Sequence, residues 1–224
     1  MAKDRVATQG SGRVVSDEPG DQRRSTRKRR AILDAAQTAF LARGFARTTM
    51  DDIAAIAAVS KQTVYKQFND KRTLFAAVVT GEIADAESLT HDLVAALATT
   101  QDLERDLRRF ARQHATDVTQ PHLLRLRRIV IAEAEQFPEL ARTWYAEGPG
   151  RARSALAEQL RALADRGVLV VDDPLLAAEL LNWLIIGSAL NHALFHPDVA
   201  LTRRELHRNA DEGVRVFLAA YGSR

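Results

Sequence analysis

Residues 49–68 read TMDDIAAIAAVSKQTVYKQF, and the fold of the chain can be worked outward from them. Thr49 followed three residues later by Asp52 is a capping-box-like start, where a hydroxyl and a carboxylate satisfy amides that a new helix leaves unpaired. A short helix over 50 to about 57 is therefore expected. Ala58 and Val59 leave room only for a tight turn, after which Ser60 is placed to cap a second short helix over 61–67. Two short helices joined in this way have helix-turn-helix geometry. Their packing calls for a small residue inside the first helix, a turn residue four later and an apolar anchor six beyond that. Ala54, Ala58 and Val64 stand at those places, with Ile53, Ala57, Val59 and Phe68 completing a small core.

Upstream, Ile32, Ala35, Ala36, Ala39 and Phe40 form one stripe at helical spacing from about Thr26, and Gly44 is a natural stop. Downstream, Asn69 or Asp70 caps a longer helix through Lys71, Leu74, Phe75 and Val78. Beyond it the pattern stays helical over 70–98, 102–118, 121–136, 138–147, 150–166, 174–196 and 202–221. Breaks are expected at Pro121, Pro138, Gly148-Pro149-Gly150, Pro174 and Pro197. Residues 168–171 could form a short strand, but it has no partner in sequence. The fold class expected is all-α: a disordered basic leader over 1–24, a helix-turn-helix domain over 25–72, and a helical body over 73–224.

Composition agrees with a folded chain. Of 224 residues, 46% are hydrophobic and 27% charged, which excludes a wholly disordered or collagenous protein. The absence of cysteine excludes a disulfide scaffold, a thiolate nucleophile and an iron–sulfur cluster. Charge is unevenly spread. Residues 1–75 hold 15 Lys and Arg against 8 Asp and Glu, and residues 76–224 hold 17 against 21. A basic end on an acidic body suggests that this end meets a polyanion. Six of the eight residues from 23 to 30 are basic. The first thirty residues do not resemble a signal peptide. The apolar run over 175–195 is interrupted by Glu179, Asn182, Asn191 and His192, so it reads as a buried or interface helix, not a membrane span. A cytoplasmic protein without a membrane partner is expected.

The outward side of the 61–67 helix presents Lys61, Gln62, Thr63, Tyr65, Lys66 and Gln67. Gln pairs bidentately with adenine and Lys reaches guanine, whereas Tyr and a Lys at a helix start suit phosphates. The run Ile32-Leu33-Asp34-Ala35-Ala36, with Phe40, Gly44-Phe45, Thr48-Thr49, Ile53-Ala54, Val59-Ser60-Lys61, Thr63-Val64-Tyr65, Phe68 and Lys71, resembles the DNA-binding domain of the TetR family. That resemblance implies a three-helix DNA-binding head and a ligand-sensing helical body. It also implies a homodimer on a palindromic operator of double-stranded DNA, and repression relieved by a small molecule, which the apolar and aromatic pocket candidates named below suggest is largely apolar. By position it implies that Thr49 caps a helix and touches phosphate. Lys61, Gln62 and Thr63 would lie nearest the bases, Tyr65 and Lys71 would hold the backbone, and Lys66 would serve either role. Arg27 and Lys28, in the basic run, are expected to follow phosphates or a minor groove. The family's turn normally carries glycine where this chain has Ala58, which costs roughly 1–2 kcal/mol if φ is positive there.

Residues 121–165 resemble the C-terminal domain of AefR-like regulators, through Leu123-Leu124-Arg125-Leu126, Ile131 to Ala141, Trp144-Tyr145 and Gly148-Pro149. Candidate pocket residues are Phe75, Phe110, His114, Ile131, Phe137, Trp144, Tyr145 and Trp183, with Glu133, Asn182 and Asn191 as further polar groups. Each aromatic could equally be plain core. Leu180, Leu184, Gly187 and Leu190, with Val214, Phe217 and Leu218, are candidates for a dimer interface between the last two helices, or for the cover of the monomer's own core. Two rival readings stand. An enzyme is disfavoured because no nucleophile elbow, phosphate-binding loop or dinucleotide fingerprint occurs, and His114/Asp117 and His207/Asp211 are weak as metal pairs. No catalytic residue, metal or cofactor is expected. A DNA-binding protein without an effector fits the same residues.

Overall fold

The computed structural model describes residues 19–223, with side chains described for 23–82 and 92–223. Ten α-helices lie among them, and no strand. Helix α1 (Pro19–Arg47) is broken at Gly44, whose φ of 76° only glycine adopts freely, and one further turn follows. Helices α2 (Met50–Ile56) and α3 (Lys61–Gln67) come next, and α4 (Lys71–Ala96) leads into the body. The start of α1 corrects the expected leader. The helix begins at Pro19, a residue whose fixed φ suits a first helical position, so residues 19–24 and the basic run are helical. Residues 1–18 of that leader lie outside the described residues.

The head core gathers Ile32, Phe40, Ile53, Val64, Phe68, Leu74 and Phe75, all at most 2% exposed. Phe40 meets Phe75 edge-on at 4.9 Å, and Phe45 lies 5.0 Å from the same ring. This cluster continues into Val78 and Val79 of α4 and takes in Leu126, Val130 and Leu140 of the body. A division after residue 72 therefore cuts through a shared helix and a shared core.

In the body, α5 (Leu103–Val118) turns Leu107, Phe110, Ala111 and Ala115 inward at three- and four-residue spacing. Helix α6 (Pro121–Ala132) ends four residues earlier than expected, where residues 133–137 form a turn closed by the Phe137 amide on the Glu133 carbonyl at 2.8 Å. The break expected at Gly148-Pro149-Gly150 is a π turn instead. It carries α7 (Pro138–Tyr145) directly into α8 (Arg151–Asp165). A wider turn accommodates the proline ring, and Gly150 suits it because a Cβ there would press on the Tyr145 carbonyl at 3.0 Å. Leu169 forms an isolated bridge with Gly222, so residues 168–170 tie the chain's end to the α8–α9 link.

Helices α9 (Pro174–Phe195) and α10 (Arg203–Tyr221) pack so closely that a Cβ on Gly213 would meet the Leu184 carbonyl at 2.7 Å. Helix α9 is long and apolar enough to cross a membrane by length and composition. Its inner side, with Ala178, Leu181 and Ile185, is instead part of the body core.

Candidate nucleic-acid interface and sensing body

Helix α3 is presented by its caps and its turn. The Ser60 hydroxyl accepts from the Thr63 amide at 3.2 Å, and Val64 is fully buried beneath. Ahead of it, Thr49 and Asp52 exchange the reciprocal bonds of a capping box at 3.0 and 3.1 Å. The hydroxyl and amide of Thr49 hold the Asp52 carboxyl below its ordinary pKa. Between the two helices Ala58 takes φ = 52°, in the left-handed region. The turn thus has the geometry that favours glycine, and alanine bears the strain.

With Val64 facing in, Lys61, Gln62, Tyr65 and Lys66 face out, and Thr63 is half-buried. Tyr65 is 44% exposed although aromatic. Lys61 forms an exposed ion pair with Asp51 at 2.9 Å, a contact weak enough in water to be exchanged for another anion. The exposed face thus offers two cations, an amide and a phenol on a rigid, capped helix, and can donate to anionic oxygens and to base edges. Thr49 is exposed at the start of α2.

Lys71 is placed differently from expectation. Its ammonium donates to the carbonyls of Phe45 and Thr48, both at 2.9 Å, and to that of Ala46 at 3.4 Å, while lying 4.4 Å from the centre of the Phe45 ring. Three acceptors use its three donors, so it fastens the end of α1 to α4 and is not a free phosphate contact. A second fastening was not legible in the sequence: Gln67 Nε2 donates to Ser25 Oγ at 3.0 Å, and the Arg29 guanidinium lies 4.3 Å from the Phe68 ring. These contacts set the basic first turns of α1 beside the end of α3, with Arg27 and Lys28 exposed. No local signal marks a pair forty-two residues apart.

The expected pocket residues do not converge. Trp183, 53% exposed, and Tyr145 and Ile131, 54% and 59% exposed, lie on the outside of the chain. Phe75 is in the head core, and Phe137, the residue just before α7, reaches that core edge-on to Phe45 at 4.9 Å. Arg72 of α4 lies over the Phe137 ring at 4.5 Å and pairs with Glu139 at 2.6 Å, closing one side of a groove of about 320 Å³ at the head–body junction. Trp144 also packs against the head core, whereas Phe110 and His114 stay within the body. Phe110 stacks on His114, whose Nε2 lies 2.9 Å from Asn182 Oδ1, and Trp144 is half-buried. Burial holds His114 below its ordinary pKa, so the imidazole is neutral near pH 7. Glu133 is half-buried, whereas Asn191 is exposed.

The interface candidates divide as well. Leu190, Val214 and Phe217 are buried in the chain's own core, because α10 lies between α9 and α5. Leu218 is half-buried against the same core. Leu180 and Leu184, 42% and 40% exposed, share an uncovered stripe of α9 with Leu176 and Trp183, and Gly187 lies beside it. Among the described residues no group of three metal-ligating side chains occurs.

Comparison with known proteins agrees with this architecture. Residues 32–78 match the family model of bacterial regulatory proteins of the tetR family, and residues 105–223 match that of the AefR-like transcriptional repressor C-terminal domain. A TetR-family transcriptional regulator from Mesorhizobium loti superposes with a TM-score of 0.84 at 38% identity, over 89% of this chain and 98% of that one. The flavonoid-responsive regulator FrrA superposes at 0.72 and 33% identity, over 89% and 99%. SmeT, the repressor of a Stenotrophomonas maltophilia multidrug efflux pump, gives 0.59 at 26% identity, over 87% and 90%. The transcriptional regulator TtgR of Pseudomonas putida is 39% identical over 74 residues, and the match spans about a third of that relative's length and 33% of this chain. These relatives are regulators, not enzymes, and the three solved structures superpose over both the head and the body. The chain is a TetR-family transcriptional regulator with an AefR-like C-terminal domain.

Proposed function

We propose that the chain is a repressor that binds a palindromic operator in double-stranded DNA as a homodimer, acts in the cytoplasm, and is released by a small, largely apolar effector. The observation that carries this reading is the outward face of α3. Lys61, Gln62, Tyr65 and Lys66 are exposed while Val64 and the Ser60 cap fix the helix from behind. In the proposed complex Lys61, Gln62 and Thr63 read base edges, and Thr49, Tyr65 and Lys66 hold phosphates. Arg27 and Lys28 follow phosphates as part of a helix, not as a free arm. The uncovered apolar stripe of α9 supports dimerisation, with two copies of α3 set about 34–36 Å apart, one DNA turn. A relative that is flavonoid-responsive and another found in complex with triclosan support an aromatic effector.

The test is selection of genomic DNA fragments by the purified protein, followed by binding isotherms for two variants. Tyr65→Ala is expected to weaken every site by roughly tenfold, and Gln62→Ala to lose about 1–3 kcal/mol of discrimination at one base position. Wild-type affinity and selectivity in both variants would overturn the assignment of α3.

A further inference from the structure

A buried charge normally has a partner, because removing a guanidinium from water without one is costly. The half-buried arginines of the body obey this rule with one exception among the described residues. Arg108 pairs with Glu104 at 2.7 Å and Arg153 with Glu179 at 3.0 Å. Arg128 donates to the carbonyls of Ala193 and Leu194 at 2.6 and 2.9 Å, at the end of α9. Arg127, next to it, has neither a hydrogen bond nor an ion pair. Its place in the helix makes this more telling. On α6 it stands one turn from Leu123 and Leu124 and three residues before Val130, so it shares their buried stripe. Leu124 belongs to the body core and Val130 to the head core, which puts Arg127 between the two.

Its surroundings are aromatic and neutral. The guanidinium lies 5.9 Å from the centre of the Trp144 ring on α7, at the outer limit of a cation–π contact. Its charge is felt at His114 on α5, where it opposes protonation, and that imidazole is already bound to Asn182 and stacked on Phe110. Burial pushes the Arg127 guanidinium itself down from its ordinary value, and no carboxylate acts against the shift. Asp117, the buried acid one turn beyond His114, turns one oxygen to Gln113 at 2.8 Å. The wide basic groove between α5 and α10 differs in this respect, since its Arg105, Arg108 and Arg112 all face carboxylates.

We infer that Arg127 is the anchor of the effector site, and that the effector is an aromatic anion whose carboxylate or phenolate pairs with this guanidinium while its ring lies against Trp144 and the Phe110–His114 pair. The inference rests on the reading of the body as a sensor and gives the missing countercharge a source. An arginine whose donors make no hydrogen bond or ion pair within the protein retains a fork that matches a carboxylate. A neutral ligand of the same shape would leave that fork unpaired and bind less well.

The test uses the full chain carrying Trp183→Phe, which leaves Trp144 as the single tryptophan. The probes are 2-naphthoate and its neutral isostere 2-naphthamide, titrated against Trp144 fluorescence. Naphthoate is expected to bind roughly 10- to 100-fold more tightly than the amide, and Arg127→Gln to abolish that preference. Arg127→Met is expected to melt no lower than its parent, since it removes an unpaired charge. Equal binding of the two probes, binding of neither, or a preference that survives Arg127→Gln would each overturn the inference. Operator binding measured on the same samples separates it from the sensor reading. If naphthoate binds through Arg127 without weakening the DNA complex, the sensor reading falls and the anion site stands. If only neutral compounds release the DNA, the anion site falls and the sensor reading stands.

Discussion

The head and the body use the same devices to begin their helices but differ in how their faces are assigned. In the head, Thr49, Ser60 and Asp70 cap α2, α3 and α4. In the body, Asp102, Asp173 and Thr202 do the same for α5, α9 and α10. Side-chain caps thus mark helix starts in both, although α6, α7 and α8 have none. Within the head, α2 and α3 are short and carry one apolar stripe each, so the remaining side must be outward. Helix α9 has apolar residues all around, and only its packing shows that Leu181 and Ile185 face inward while Leu180 and Leu184 do not. The comparison teaches that a cap is a local signal, whereas the outer face of an all-apolar helix is a tertiary one.

The strongest way to break this distinction is to charge the uncovered stripe. Leu180→Glu with Leu184→Glu is expected to leave the secondary structure intact, convert the protein to a monomer in analytical ultracentrifugation, and lower operator affinity roughly 100-fold or more. If the double variant instead unfolds, the stripe belongs to the monomer core and the contrast between regions disappears. A second change probes where the regions meet. Phe137→Ala removes the ring set just before α7 beside Phe45, and should cost about 2 kcal/mol of stability in urea unfolding, less than a fully buried phenylalanine because this one is half-buried. A head independent of the body would show no change in its own transition. The smallest effect concerns the turn. Ala58→Gly relieves the left-handed strain but adds freedom to the unfolded chain, so a net gain of about 0.5 kcal/mol is expected, read as a small rise in Tm. A loss would show that the strain at φ = 52° is already relieved by its neighbours.

Much of the architecture was legible before the structure. The ten helices, the Gly44 stop, the Ser60 cap and the outward residues of α3 all follow from spacing and capping chemistry. The strand-like residues 168–171 found a partner only because the chain's last residues return beside them. What sequence did not reveal were contacts between distant residues: Lys71 closing on three carbonyls, Gln67 meeting Ser25, and Phe137 leaving the expected pocket for the head core. Such contacts depend on where whole helices lie, and no local rule encodes that. The body's polar interior was half legible. His114 and Asn182 stood out as polar groups on apolar helices, but Arg127 sits among other arginines of α6 and looks like one more solvated charge until its surroundings are known.

Helix α4 runs through both regions. Its first turns, with Leu74, Phe75, Val78 and Val79, are inseparable from the DNA-facing core, and its far end, with Leu93 and Val94, rests on the body. Twenty-six residues give it a length of about 39 Å, and a tilt of about 5° at one end sweeps the other through about 3 Å. That sweep is close to the 3.4 Å step between stacked bases. In the proposed release of DNA such a rod would work as a lever arm, because a displacement too slight to disturb either core would be enough to move α3 out of step with the double helix.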